Sequence, residues 1–246
     1  MASDDIQYTP GFGYKDLVAC GSTGLVVLDS ATQTVIKTPV GPENSAHIQR
    51  ERQIYERLTE RGQHQGVLSY HGEVEGGGIR FEFAPKFDLQ SFIRREHVDT
   101  SLHLRCMVQL ANALAFIHRA GIIYGDFTTA NVFLDDKLNA KLADFAGSSI
   151  DSSPLLVAVT TSHEFPGNLL PEQGDIFAYG SAMYEVVTGQ RPYATLSEAD
   201  IPPLFQNGEF PDVTSLGSLG YIIRNCWDGG YKDSQALVKD LEGLTA

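Results

Sequence analysis

The sequence predicts an α+β chain of two lobes, a small strand-rich N-terminal lobe carrying one main helix and a larger helix-rich C-terminal lobe. Three observations predict it. The chain has 246 residues, more than the roughly 100 to 200 of a typical single domain and few for two unrelated ones. Up to about Phe83 the apolar residues come in short runs bounded by turn-forming stretches. From Leu89 onward they recur at helical period. The expected boundaries are residues 1–13 for a flexible N-terminal segment, 14–84 for the first lobe and 85–246 for the second.

Taken in order, Met1 to Gly13 is acidic, carries Pro10, and lacks the basic start and apolar core of a signal peptide. A cytoplasmic or nuclear address is expected. Leu25–Leu28 and Thr34–Lys37 read as strands separated by the turn Asp29-Ser30-Ala31-Thr32. Ala46 to Leu58 has Ile54 and Leu58 spaced by four among charged neighbours, so it reads as a helix that Gly62 closes. Gly76-Gly77-Gly78 marks a hairpin, because no helix follows it as a phosphate loop requires. Leu104, Met107, Ala111, Leu114 and His118 keep a helical period, as does Asp175 to Thr188. Ser148 to Ser162, rich in small polar residues, is expected to be a surface loop.

Composition narrows the function classes. A content of 42% hydrophobic and 20% charged residues is that of a folded globular chain, and no run approaches the roughly 18 apolar residues of a membrane helix. Cys20, Cys106 and Cys226 are odd in number and far apart, which fits neither a disulfide framework nor a zinc site. Eighteen Lys and Arg against 31 Asp and Glu give a net charge of −13, which repels nucleic-acid phosphate and anionic lipid. Neither nucleic acid nor membrane is expected as a partner; a protein is.

The chemistry-bearing residues come in two groups. Ala19-Cys20-Gly21-Ser22-Thr23-Gly24-Leu25-Val26 lies between strands, where glycines let a backbone close over phosphates. By itself such a pair of glycines is more often a tight hairpin. Lys37, on the next strand, is a cation suited to phosphates, and Glu51 on the following helix is placed to pair with it. The second group runs Ile122-Ile123-Tyr124-Gly125-Asp126 to Asn131, then Lys141-Leu142-Ala143-Asp144-Phe145-Ala146-Gly147. Magnesium takes hard oxygen ligands, which Asn131 and Asp144 supply, and a separate carboxylate, Asp126, suits the base that takes a hydroxyl proton.

With these motifs in this order, the chain resembles the eukaryotic-type protein kinase family from about Leu17 to Leu244. The resemblance implies a bilobal kinase-like fold binding ATP and Mg2+. It makes Gly21 and Gly24 the phosphate-covering loop, Lys37 and Glu51 an ion pair, Asp126 the catalytic aspartate, and Asn131 with Asp144 the metal ligands. It makes Phe81-Glu82-Phe83-Ala84 the hinge between lobes, with Glu82 and Ala84 offering backbone groups to adenine and Asp88 reaching the ribose. Val26, Val35 and Phe133 match the adenine sandwich; Tyr55, Phe145 and Tyr124 match the stack that aligns active kinases. The helix from Asp175 to Gly189 and Cys226-Trp227 match the base of the large lobe.

Four positions depart from the family pattern. Ala19 replaces the first glycine of the loop, Thr128 replaces the lysine beside the transferred phosphoryl group, Tyr124-Gly125 replaces His-Arg, and Asp144-Phe145-Ala146 ends in alanine. Glu164-Phe165-Pro166 and Leu170-Pro171-Glu172 both match the segment Ala-Pro-Glu, with Lys232 near the place of its basic partner. The resemblance implies a serine/threonine-type protein kinase; a pseudokinase and a small-molecule kinase stay open as alternatives.

Overall fold

The computed structural model of the chain describes residues 8–96, 99–167 and 171–244. Leu170 and the first seven residues of the expected flexible segment lie outside them. Five strands, β1 (Leu17–Cys20), β2 (Gly24–Asp29), β3 (Thr34–Pro39), β4 (Tyr70–Val74) and β5 (Gly78–Glu82), form one antiparallel sheet in the order β1-β2-β3-β5-β4. The register pairs Val26 with Lys37 and Val35 with Phe81. Directly opposed residues share a face, so Val26, Val35, Lys37 and Phe81 stand together on one side of the sheet. The glycine run after β4 makes the expected tight turn, with Gly76 at φ +91° and Gly77 at +83°.

The helix α1 (Ser45–Glu60) crosses this sheet. Its buried residues Ile48, Glu51, Ile54, Tyr55 and Leu58 form a single stripe at helical spacing. Tyr55 meets Phe81 with ring centroids 4.7 Å apart. Beyond its end, Gly62 at φ +104° donates its N–H to the Thr59 carbonyl, the left-handed stop the sequence predicts.

The second lobe contains α2 (Leu89–Arg95), α3 (Thr100–Arg119), α4 (Pro171–Thr188), α5 (Ile201–Gln206), α6 (Gly217–Trp227) and α7 (Ser234–Gly243). Asp88 and Asp99 cap α2 and α3, their carboxylates accepting from the N–H groups of Ser91 at 2.7 Å and Leu102 at 2.8 Å. The central helix α4 is buried on several sides through Ile176, Phe177, Tyr179 and Met183. Tyr179 donates to the Met107 carbonyl of α3 and the Trp227 indole N–H donates to Ser181. A β-carbon on Gly180 would lie 2.6 Å from Cβ of Cys226, so the close approach of α4 and α6 requires glycine there. Among the described residues no helix is long and apolar enough to cross a membrane.

Two short ladders complete the lobe: β6 (Ile122–Ile123) with β9 (Ser149–Ile150), and β7 (Val132–Leu134) with β8 (Ala140–Leu142). Here the structure departs from the expected surface loop over Ser148 to Ser162. Ser148, Ser149 and Ser162 are buried, because Ser149 pairs with β6 and Ser148 donates its hydroxyl to the Tyr124 carbonyl at 2.8 Å. Only the middle of the segment faces water.

Candidate functional site

A cleft of about 300 Å³ opens between the sheet and the helical lobe. Sheet register supplies its roof, since Val26, Val35 and Lys37 share the inward face and line it. Gly21 donates its N–H to the Gly24 carbonyl at 2.9 Å, closing the loop between β1 and β2. Gly24 has a second reason to be glycine, because a β-carbon there would stand 2.7 Å from Cε of Lys37. The lysine stem thus passes beneath the loop and carries its ammonium to the back of the cleft.

There Lys37 Nζ lies 2.7 Å from Glu51 on α1 and 2.7 Å from Asp144. Burial by itself would depress the lysine, and the two carboxylates outweigh it and raise its pKa. Burial pushes the Glu51 carboxyl up to about 7 against the pull of Lys37. Desolvation works to raise Asp144, and Lys37 overrides this and holds it below the ordinary value. The other Glu51 oxygen accepts the Phe145 N–H at 3.1 Å, so one helix carboxylate fixes both the cation and the backbone after Asp144. Asp144 itself is left-handed, φ +56°. Phe145 is held edge-on between Tyr55 and Tyr124, with both centroid separations 5.1 Å. These three residues are the predicted stack, and it is assembled.

The strand that leads into the hinge, β5, ends at Glu82, whose N–H is engaged by the Ser69 carbonyl at 2.9 Å. Its carboxylate accepts from the Ser69 N–H and pairs with Lys141 of β8 at 2.9 Å, tying the hinge to the helical lobe. Glu82, Ala84 and Phe133 line the cleft as expected. Asp88 does not: its carboxylate caps α2, and Phe87 stands at the cleft in its place.

The second wall is a loop held from below. Asp175 of α4 accepts the N–H groups of Tyr124 and Gly125, both at 2.7 Å, and contacts His118 Nε2 at 2.9 Å. Tyr124 donates its hydroxyl to the Ala143 carbonyl, joining this loop to the residue before Asp144. Asn131 directs its amide N–H₂ at Asp126, 2.9 Å from the carboxylate and 3.0 Å from the carbonyl, leaving its own Oδ1 as acceptor. Burial raises the Asp126 pKa, while hydrogen bonds from Asn131 and Thr160 pull it the other way. Among the described residues no Lys or Arg pairs with Asp126, and Thr128 makes no side-chain hydrogen bond.

The segment after Gly147 is pinned by two arginines of α1. Arg57 of α1 grips Asp151 with two hydrogen bonds, 2.7 and 3.1 Å, and Arg50 donates to the carbonyls of Ser148 and Pro154. Gly125 is at φ +77°, and a β-carbon on it would lie 2.4 Å from Leu155. Leu155 therefore packs where a side chain at position 125 would begin. Lys232 is exposed with Asp233 as its neighbour at 3.6 Å, and neither Glu164 nor Glu172 pairs with it among the described residues.

Nearly every residue named from sequence thus lines one cleft or, like Asp126, hydrogen-bonds a residue that does. Sequence reasoning missed Thr160, Phe87 and the Lys141–Glu82 pair, none of which has a spacing signal. A five-stranded lobe tied by Lys37 and Glu51 to a helical lobe built on a buried Asp175 is a bilobal kinase-like architecture. The model for protein tyrosine and serine/threonine kinases matches residues 21–236, and the chain belongs to that family. It is 28% identical to a putative leucine-rich repeat receptor-like serine/threonine-protein kinase of Arabidopsis thaliana over 75% of this chain and 22% of that protein. Phytosulfokine receptor 2 of the same organism is 26% identical over 76% of this chain and 20% of its own length. A probable LIM domain-containing serine/threonine-protein kinase of Dictyostelium discoideum is 29% identical over 48% of this chain and 20% of its own. The chain spans about a fifth of the length of these relatives.

Proposed function

We propose that the cleft binds ATP with magnesium and that the chain transfers the γ-phosphate to serine or threonine hydroxyls of protein substrates. The observation that carries this is Lys37 reaching Glu51 and Asp144 at 2.7 Å each, which assembles a phosphate cation and a metal carboxylate in one place. Among the described residues no group of three or more His, Cys, Asp or Glu can hold a metal unaided. One carboxylate from Asp144 and the amide oxygen of Asn131 fit magnesium, which keeps water and substrate phosphates as its other ligands. Bound there, the ion would neutralise phosphate charge. Asp126, with its raised pKa, is the group placed to accept the hydroxyl proton, and Asn131 orients it. The serine/threonine assignment draws on the printed names of the relatives. Three free cysteines accord with a reducing compartment.

A second reading, a pseudokinase that binds ATP and regulates a partner, is favoured by one observation: among the described residues no cation pairs with Asp126, and Thr128 stands beside it in the loop. Small-molecule transfer has less support, because α4 with its Asp175 anchor is of the protein-kinase kind. Purified chain with radiolabelled ATP, magnesium and a mixture of protein and small-molecule acceptors separates the three. Label on protein, abolished by Asp144→Ala, is the expected result. ATP binding without transfer to any acceptor would leave the regulatory reading standing, and no magnesium-dependent response to ATP would remove both.

A further inference from the structure

Phe87 is 49% exposed and lines the cleft, yet its backbone is left-handed at φ +61°. For a bulky residue with a β-carbon that conformation is strained, and the residue persists there only where its surroundings impose it. They do so from both sides. The Phe87 N–H donates to the Ala84 carbonyl at 3.2 Å, and its carbonyl accepts the Leu134 N–H at 2.9 Å. Between those bonds the chain turns from the hinge into the cap of α2. Glycine would make this turn without strain and without leaving an aromatic ring half in water.

The next residue, Asp88, has its carboxylate on the Ser91 N–H at 2.7 Å and does not line the cleft. Val18 of β1, also partly exposed, lines the cleft and adds a second apolar side chain to it. We infer that Phe87 grips the nucleoside end of ATP by apolar contact with the base and sugar, in place of a carboxylate bonded to the ribose hydroxyls. This rests on the ATP reading above. Covering the exposed part of the ring on binding yields a hydrophobic gain, and a planar base suits a planar ring.

The test compares the wild-type chain with Phe87→Gly and Phe87→Leu. It measures the Tm without nucleotide and the Kd for magnesium complexes of ATP, 2′-deoxy-ATP and tripolyphosphate. Phe87→Gly is expected to weaken ATP and 2′-deoxy-ATP alike by about tenfold, or about 1.4 kcal/mol. It should leave tripolyphosphate unchanged and the Tm no lower, with Phe87→Leu intermediate for ATP. A Tm lower by more than about 5 °C would show a ring that packs the fold instead of gripping ligand. Unchanged ATP affinity in Phe87→Gly, or wild-type binding of 2′-deoxy-ATP more than tenfold weaker than ATP, would equally overturn the inference. A wild-type chain that binds tripolyphosphate and ATP equally would also overturn it. Absence of any ATP binding by the wild type is a different result, which removes the proposed function itself.

Discussion

The two walls of the cleft hold their charges by different means. Lys37 is placed by the register of β2 with β3, and Glu51 by the buried stripe of α1; they meet at 2.7 Å inside the protein. Asp126, Asn131 and Thr160 sit outside regular strands and α-helices, held by side-chain hydrogen bonds and by Asp175 beneath. The first wall is positioned by regular secondary structure. The second drifts when one loop residue changes, and the departures at Gly125 and Thr128 lie on it, against Ala19 on the first. The half proposed for the nucleotide is thus set by the fold, and the half proposed for the acceptor by particular loops.

The comparison is tested most severely by separating the walls. Asp126→Asn should lower transfer by about 10²- to 10⁴-fold, the usual contribution of a positioned base, with ATP affinity intact by calorimetry. Equal turnover in that variant would strip Asp126 of its role. Lys37→Met should have the complementary effect: magnesium–ATP binding weaker by roughly 2 kcal/mol, about 30-fold, as read by thermal-shift titration. If affinity survives, the roof is not what the register implies.

Smaller effects sharpen the contrast. Thr128→Lys adds a cation to the wall that lacks one and should raise turnover about tenfold if transfer is slow for want of electrostatic stabilisation. No rise despite intact ATP binding would favour the regulatory reading. Lowering the pH from 8 to 6 should also reduce turnover about tenfold. Glu51 titrates at about 7 in the folded chain, so its pairing with Lys37 is lost as pH falls through that value. The sign for stability is opposite. A carboxyl raised above its unfolded value stabilises the fold below that unfolded value, and the contribution disappears as pH rises through about 7. A pH profile flat between 6 and 8 would mean that Glu51 stays ionised throughout. The smallest effect belongs to phosphorylation of the segment 148–162. With Leu155 on Gly125 and Arg50 already bonded to loop carbonyls, phosphatase treatment should change turnover by less than about tenfold, 1.4 kcal/mol.

The sequence made the first wall more legible than the second for the same physical reason. Strand alternation and helix period are short-range patterns, so the strands of Val26, Val35 and Lys37 and the helix of Glu51 were readable from neighbours, while their roles came from the resemblance. Asp126, Asn131 and Asp144 were readable through their spacing. The bond from Thr160 to Asp126 spans more than thirty residues and leaves no periodic trace. The same holds for Leu155 against Gly125, and for Arg57 across α1 to Asp151. Composition also misled over Ser148 to Ser162: small polar residues suggested surface, but β6 offered Ser149 a partner and drew that end inward. Asp88 was assigned by position, and the structure adds that one of its carboxylate oxygens caps α2.

Leu155 resting on Gly125 bears on how a cell would govern this protein. A segment ordered by ionic partners to a phosphate can be released by removing the phosphate. One ordered by methyl groups, by backbone carbonyls and by an arginine on an aspartate has no such handle. On the proposed phosphotransfer reading, turnover per molecule would then not answer to a phosphate on this segment.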